Sequence, residues 1–365
     1  MKIQHPVYYG DYLQLPKILN SQAPESLKYG PEAHDETLFI IIHQTYELWF
    51  KQILHELGSI QHIMSQKFVA STELPTIQAR LERIISIQQI LIDQIKVMET
   101  MTTLDFMEFR DFLVPASGFQ SLQFRLVEAT LGIKPEHRME VEKQFFTSRL
   151  KPEDREVLAK AESDISVFEL LEVWLSRMPF SEFDGYDFWG AYSNAVDKML
   201  KDDRDIISTN PALSERALEM ELKNLDYTKE SFDTLLDAKK FAAWKESGKV
   251  RLSQKAMLSA VFIYLYRDFP ALQMPFRILN SLVEIDEKFT TWRFRHALMV
   301  QRILGTKIGT GGSSGHEYLK STTERNRTFL DLFTLTTFLI PKKLTPELPK
   351  YIKDQLDIVY DNLQS

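Results

Sequence analysis

Apolar side chains recur every three to four residues through long stretches of the chain, which is the spacing of helices that bury one face. Alternating apolar and polar runs joined by Asn-Gly or Asp-Gly turns, typical of β-hairpins, are nearly absent. The pattern predicts an all-α fold built as a helical bundle. The predicted helical segments are His34–Ser65, Leu74–Met101, Ser117–Leu131, Pro152–Arg177, Pro211–Phe241 and Pro275–Leu304.

The middle of the chain, residues 132–255, is more charged than the sequence on either side. Because apolar residues keep helical spacing there, we predict a helical insertion rather than a linker. We predict that residues 1–365 form a single helical domain, with a core made of residues 1–131 and 256–340 and a C-terminal tail at 341–365. A chain of this length buries a core large enough to fold without disulfides or a structural metal.

Composition narrows the classes of partner. The net charge is −7 at pH 7 and is spread along the chain without a basic stripe, so nucleic acid is not expected as a partner. The absence of cysteine excludes a disulfide framework, the usual iron–sulfur clusters, a thiolate-bound haem and a cysteine nucleophile. No signal-peptide pattern is present, and the apolar run Leu38–Ile42 is too short to span a bilayer. We expect a cytoplasmic protein without a membrane partner.

The 8 histidines are the natural candidates for a metal or proton site. No H-E-x-x-H motif and no repeated E-x-x-H pair is present, so a metal site with several protein ligands is not favoured. His55 and His62 share one face of a predicted helix but lack carboxylates at ligand spacing. What remains is a metal site that needs one protein ligand, as in haem proteins.

Two histidines each lie one helical turn after a large aromatic residue. Phe39 precedes His43, and Trp292 precedes His296, by four positions, which places each pair on one helix face. Spacing alone favours ordinary packed histidines, with His43 satisfied by Glu47 or a backbone carbonyl and His296 packed near two arginines. The alternative is a functional imidazole held in place by aromatic bulk.

Arg110 lies among phenylalanines, with Phe106 one turn before it. A guanidinium in such surroundings needs a carboxylate partner. Spacing alone favours a pair with Asp105, Glu108 or Asp111. The alternative is the carboxylate of an amino-acid ligand.

A loop rich in glycine and hydroxyl groups, Gly309–Gly315 (GTGGSSG), follows the His296 segment. It matches neither a Walker loop nor G-x-G-x-x-G. Composition alone allows a plain flexible linker or a donor-rich segment that closes over a small charged ligand. Its place beside the His296 helix favours the second interpretation.

Several stretches, found in the same order and covering most of the chain, resemble the tryptophan 2,3-dioxygenase family. They are YYGDYLQL (Tyr8–Leu15), HDETLFIIIHQTYELWFKQILHEL (His34–Leu57), LDFMEFRDFLVPASGFQSLQFRLVE (Leu104–Glu128), WRFRHALMVQRILGTKIGTGGSSGHEYL (Trp292–Leu319) and DLFTLTTFLIP (Asp331–Pro341). The HQTYELWF, FRDFLVPASGFQS and GTGGSSG motifs together are highly specific. The segment EVWLSRMP (Glu172–Pro179) resembles animal-type members more than the shorter bacterial ones.

The resemblance implies a bundle that encloses haem b, with ferrous iron for activity, and a substrate pocket. The implied reaction opens the indole ring of L-tryptophan with O2 to give N-formyl-L-kynurenine, the first step of the kynurenine pathway. His296 falls at the family's axial ligand of the haem iron, with Trp292 beside it, and Ser117 and Gly118 fall in a stretch close to the haem. His43 falls at the catalytic histidine that faces the indole N–H.

The resemblance also implies a substrate site. Phe39 falls in the lining of the indole pocket, as does Phe106, which stands where some bacterial members have Tyr. Arg110 falls at the arginine that binds the substrate carboxylate, and Thr310 at the residue that contacts the substrate ammonium and carboxylate.

Two further features follow from the resemblance. Tyr9, Tyr12 and Leu13 match an N-terminal segment that completes the active site of a neighbouring subunit in a homotetramer. A possible second tryptophan site is matched by Trp174, Arg177 and Pro179.

Two other functions are kept as alternatives. One is a haem-dependent aromatic monooxygenase of the same fold, and the combination of His43, Arg110 and Thr310 argues against it. The other is a sensor that binds haem and tryptophan without turnover, which an activity measurement separates from an enzyme.

Overall fold

The computed structural model describes residues 6–134, 150–178, 183, 185–305 and 326–358. These residues form helices and no strand, which confirms the predicted all-α fold. In chain order the α-helices are α1 (Tyr9–Tyr12), α2 (Leu15–Leu19), α3 (His34–Met64), α4 (Leu74–Met98), α5 (Thr103–Met107), α6 (Leu122–Leu131), α7 (Pro152–Ser163), α8 (Val167–Ser176), α9 (Phe188–Ser208), α10 (Glu215–Leu236), α11 (Ala238–Glu246), α12 (Gln254–Leu265), α13 (Pro270–Leu304), α14 (Leu330–Thr334) and α15 (Lys350–Leu356). Within the same residues, no helix is long and apolar enough to cross a membrane.

Two of the predicted helical segments are each divided into two helices. The segment predicted at Pro152–Arg177 is divided into α7 and α8 because Ser166 starts a new helix. The Ser166 hydroxyl accepts a hydrogen bond from the Glu169 N–H, and the Glu169 carboxylate accepts one from the Ser166 N–H. In the same way the Asp237 carboxylate caps α11 and separates it from α10. Such caps interrupt a helix without interrupting the apolar spacing, so periodicity alone misses them.

Some predicted helix starts also differ from the structure. The segment predicted to begin at Ser117 begins as α6 at Leu122, because the Ser121 hydroxyl accepts a hydrogen bond from the Phe124 N–H and caps the helix. Helix α13 begins at Pro270 and continues through Pro275, which the pattern placed at the start. A proline close to a helix start removes only one intrahelical donor, so the helix tolerates it.

The chain divides into two compact units. Unit 1 contains Met1–His55, Ser86–Asp164 and Glu287–Arg327, and unit 2 contains Glu56–Ile85, Ile165–Asp286 and Thr328–Ser365. The division into two compact units does not show which segments form the catalytic core. The predicted core, insertion and tail of a single catalytic domain therefore stay a prediction.

In unit 1, polar side chains connect three long helices. The Tyr46 hydroxyl of α3 donates a hydrogen bond to the Leu91 carbonyl of α4 at 2.8 Å. The Lys288 ammonium of α13 donates to the Gln89 amide oxygen of α4 at 2.6 Å. Helix α4 therefore contacts both α3 and α13 within this unit. The buried apolar cluster beside them contains Ala33, Ile42, Met98, Met101, Phe106, Phe109 and Ile303.

In unit 2, two buried aspartate side chains accept hydrogen bonds from backbone N–H groups. Asp286 accepts from the Thr328 and Phe329 N–H groups, both at 2.9 Å. Asp331 accepts from the Arg251 and Leu252 N–H groups at 2.8 and 2.7 Å, and burial raises the pKa of its carboxyl. These groups fix loops to helices, which is a structural role.

Candidate active site

Helix α3 presents His43 and Phe39 on one face, as their spacing predicted. The two rings lie 4.1 Å apart between centroids. The His43 Nδ1 lies 2.7 Å from the Phe39 carbonyl oxygen, one turn back along the helix. Because a carbonyl oxygen only accepts hydrogen bonds, Nδ1 carries the hydrogen and Nε2 of the neutral ring is an acceptor. The backbone partner named as the ordinary alternative is present, and it still leaves the second nitrogen able to accept a hydrogen bond.

The environment of His43 favours the neutral ring. His43 as a whole residue is exposed to solvent. The protein around the ring nevertheless desolvates it, and this lowers the pKa of His43 below its ordinary value of 6.5. The Phe39 carbonyl and the charge of Glu47 oppose the shift without reversing it. At pH 7 the imidazole is therefore uncharged, with an acceptor at Nε2.

Aromatic rings from two segments of unit 1 surround the His43 side of the site. The Phe39 ring lies 5.8 Å from the Phe106 ring and 5.6 Å from the Phe109 ring. Phe106 and Phe109 meet edge to face at 5.3 Å. Offset and edge-to-face rings at these distances are the surroundings that a flat aromatic ligand needs.

Arg110 immediately follows this aromatic cluster. Its side chain is 17% exposed, and its guanidinium lies 3.8 Å from the Asp111 carboxylate, which is 80% exposed. This distance is too long for a hydrogen bond, and an exposed pair of this kind contributes about 0–1 kcal/mol. The Asp111 contact is weak enough to be exchanged for a bidentate one with another carboxylate.

Helix α13 presents Trp292 and His296 on one face, as predicted. Their rings are stacked with centroids 5.5 Å apart. Trp292 is in turn surrounded by the rings of Tyr46 at 6.0 Å, Phe50 at 6.1 Å and Phe124 at 5.0 Å. The stacking fixes the plane of the imidazole through a tryptophan that is itself held on several sides.

The His296 imidazole has the properties of a metal ligand. Burial lowers its pKa to about 4, and the charge of His43 adds to the lowering. The His296 imidazole therefore lies close enough to His43 to respond to its charge. A neutral, half-buried imidazole that is oriented by an aromatic neighbour suits a haem iron.

A metal site with several protein ligands is not found in the described part of the chain. No group of three or more His, Cys, Asp or Glu side chains gathers closely enough there to hold a metal ion.

Some of the other predicted site residues are described by the structure, and the rest lie outside the described residues. Tyr9 and Tyr12 are each 75% exposed, and Leu13 is half-buried. Ser117 is half-buried and Gly118 exposed in the turn that leads to α6. Trp174 and Arg177 belong to unit 2, where an Arg177 N–H donates to the Lys67 carbonyl at 3.4 Å. Thr310 and Pro179 lie outside the described residues.

Sequence reasoning did not single out several residues that complete the site. Tyr46 contacts Trp292, and burial raises the pKa of its hydroxyl to about 12, so it stays a protonated donor. Phe109 is fully buried between Phe39 and Phe106. Both occur in stretches that were already quoted, but spacing along one helix does not report contacts between helices.

Comparison with known sequences identifies the family. A sequence model described as Tryptophan 2,3-dioxygenase matches residues 2–339. Proteins named tryptophan 2,3-dioxygenase from Alteromonas mediterranea and Dictyostelium discoideum are 52% and 50% identical, covering 96% and 99% of this chain and 97% and 90% of their own lengths. The protein of that name from Xenopus tropicalis is 43% identical over 93% of this chain and 84% of its own length. The chain belongs to the tryptophan 2,3-dioxygenase family.

Proposed function

We propose that this protein cleaves the indole C2–C3 bond of L-tryptophan with O2 to give N-formyl-L-kynurenine, as the first step of the kynurenine pathway. The observation that carries the proposal is the pairing of two neutral imidazoles in unit 1. His43 lies beside a cluster of aromatic rings that Arg110 follows in the chain, and His296 stacks on Trp292. The His43 imidazole can accept a hydrogen bond from a substrate N–H, and the His296 imidazole can bind an iron.

The His296 side of the site holds haem b in this proposal. His296 would bind the haem iron, Trp292 would fix the plane of the His296 ring, and Ser117 and Gly118 would help to hold the haem. When bound in its ferrous state, haem supplies the activation of O2. The protein contributes binding, orientation and exclusion of water.

The His43 side holds L-tryptophan. The rings of Phe39 and Phe106 enclose the indole and exclude water from it. The guanidinium of Arg110 binds the carboxylate with two parallel hydrogen bonds, and Thr310 contacts the ammonium and carboxylate. A site with aromatic rings around the indole and an arginine that binds the carboxylate selects an aromatic amino acid over a free indole.

His43 orients the indole and is not an obligatory base. Its Nδ1 hydrogen is committed to the Phe39 carbonyl, so Nε2 faces the substrate as an acceptor for the indole N–H. An acceptor at this nitrogen fixes the rotation of the indole over the reacting centre. A proton transfer to His43 is not required for the C2–C3 bond to break.

This role predicts a pH dependence for kcat/KM with L-tryptophan. As the pH falls through the lowered pKa of His43, Nε2 becomes protonated and no longer accepts from the indole N–H. We expect kcat/KM to decrease as the pH falls, and the decrease should begin at a lower pH than it would for a histidine with the ordinary pKa of 6.5. The His43→Ala variant should retain activity reduced by about 3- to 10-fold, the value of one neutral hydrogen bond, and lose the decrease assigned to His43. Complete loss of turnover with haem retained would identify His43 as an essential base.

The proposal extends to assembly and location. We propose a cytoplasmic homotetramer in which Tyr9, Tyr12 and Leu13 complete the active site of a neighbouring subunit. The exposure of both tyrosines supports this, because large aromatic side chains left in water favour a partner surface. We also propose a second tryptophan site at Trp174, Arg177 and Pro179, and one catalytic domain over residues 1–365.

A single experiment separates the proposed function from its alternatives. Reduced, haem-loaded protein is mixed with L-tryptophan under ¹⁸O2, and the product is followed by absorbance and mass spectrometry. We expect N-formylkynurenine that carries both oxygen atoms of one O2 molecule. Incorporation of one atom would instead indicate a monooxygenase, and unchanged tryptophan bound to the protein would indicate a sensor.

A further inference from the structure

Behind the Trp292–His296 pair, one buried carboxylate holds two arginines. The Glu128 side chain of α6 is 3% exposed, and its Oε1 lies 2.7 Å from a terminal guanidinium nitrogen of Arg293 on α13. Its Oε2 lies 2.8 Å from a guanidinium nitrogen of Arg125, one turn earlier on α6. Charge-assisted hydrogen bonds with this burial are among the stronger polar contacts in proteins.

The Arg293 guanidinium has further partners that connect it to the site. It donates to the Asn326 carbonyl at 2.7 Å and lies 5.8 Å from the ring centroids of both Phe124 and Phe289. The Phe124 ring contacts Trp292 at 5.0 Å, and Trp292 stacks on His296. A continuous series of contacts therefore leads from Glu128 to the imidazole.

Because Arg293 lies on α13, its contacts affect the rotation of this helix about its axis. Arg293 is adjacent to Trp292 and three residues before His296, so the three side chains turn together about the helix axis. Side chains extend about 5–6 Å from the axis of a helix, so a rotation of about 10° displaces the imidazole by about 1 Å. A displacement of that size is enough to misplace an iron ligand.

We infer that Glu128 is a positioning residue, which fixes the rotation of α13 through Arg293 and thereby orients the His296 imidazole. The inference rests on the proposed function, since the ligand role of His296 is proposed. In this inference Glu128 acts through Arg293 and not directly on the substrate or the haem. Arg293 connects Glu128 to α13, and Arg125 pairs with the second carboxylate oxygen of Glu128.

The chain offers a closely matched control. Glu56 is also a buried carboxylate between two arginines, with a side chain that is 2% exposed. Its oxygens lie 3.3 Å from the Arg80 guanidinium and 2.9 Å from that of Arg83. Glu56 belongs to unit 2, whereas Glu128 belongs to unit 1. A Glu→Gln change at either position removes the charge of a buried carboxylate, and the arginines of Glu56 are more exposed than those of Glu128.

The test compares Glu128→Gln with Glu56→Gln in the full chain. In apoprotein labelled with ¹³C-histidine, the His296 ring resonance, shifted by the ring current of Trp292, should move in Glu128→Gln and stay in place in Glu56→Gln. In the haem-loaded protein, release of haem to apomyoglobin should be about 10-fold faster in Glu128→Gln, with a shifted iron–histidine stretching band. Thermal unfolding of the two apoproteins measures the structural cost shared by both changes.

A second pair of variants keeps the inference testable if Glu128→Gln does not fold. Arg293→Met should reproduce the faster haem release, whereas Arg125→Met should keep the release within about twofold of the unchanged protein. An unmoved His296 resonance, or equal haem release in the Glu128 and Glu56 variants, would overturn the positioning role. A moved resonance in a protein that does not bind haem through His296 would uphold the positioning role and reject the proposed function.

Discussion

Replacement of His296 by alanine is expected to abolish stoichiometric haem binding. The imidazole is neutral because burial lowers its pKa to about 4, and it is oriented by stacking on Trp292. Removing the iron ligand should therefore weaken haem binding by at least about 100-fold, more than the loss of a supporting partner.

The measurement is a titration of apoprotein with haem, followed by the Soret absorbance. The control is His55→Ala, which removes an exposed histidine of α3 and should leave the titration unchanged. Free imidazole added to the His296→Ala variant should restore part of the absorbance, because it can occupy the space of the missing ring. An unchanged Soret band at one haem per chain in His296→Ala would contradict the assignment.

Replacement of Arg110 by alanine is expected to cause the largest loss of substrate selectivity. The guanidinium is 17% exposed at the end of the aromatic cluster, where its contact with Asp111 is long. Loss of one partner from a buried charge pair costs about 2–5 kcal/mol. We therefore expect kcat/KM for L-tryptophan to fall by about 100-fold or more, mainly through a higher KM.

Tryptamine, which lacks the carboxylate, gives the internal comparison. The unchanged protein should prefer L-tryptophan over tryptamine strongly, and the preference should nearly disappear in Arg110→Ala. Arg277→Ala, which removes an arginine that is 56% exposed, should leave both values unchanged. A preference for L-tryptophan that survives in Arg110→Ala would place the carboxylate elsewhere.

The pairs on single helices could be predicted from the sequence. The four-residue spacing of Phe39 and His43, and of Trp292 and His296, predicted shared faces, and the rings do lie 4.1 and 5.5 Å apart. A helix of known period fixes such neighbours before the tertiary structure forms. The all-α fold followed from the same periodicity.

Contacts between helices could not be predicted in this way. Tyr46 and Phe124 surround Trp292 only because α3, α6 and α13 meet, and Glu128 pairs with Arg293 across 165 positions of the chain. In the sequence, Arg293 was simply a charged neighbour of a histidine. Arg293 is buried because helices pack against it, and this burial makes its ion pair with Glu128 important. The spacing of apolar residues along the chain does not predict that packing.

Helix ends were a second source of difference. Ser166 and Asp237 divide segments that apolar spacing predicted to be continuous. The capping side chains are visible in the sequence, since Ser166 with Glu169 matches a capping box. Whether such a capping residue ends one helix and begins another depends on how the neighbouring residues are buried. That burial is decided only when the chain folds.

The most direct test is a crystal structure of the haem-loaded protein with L-tryptophan. It should place the iron about 2.0–2.2 Å from a ring nitrogen of His296, an ordinary metal–imidazole distance. The indole N–H should face Nε2 of His43, and the tryptophan carboxylate should lie within hydrogen-bonding distance of Arg110. Iron bound through another residue, or a tryptophan carboxylate held away from Arg110, would contradict the account.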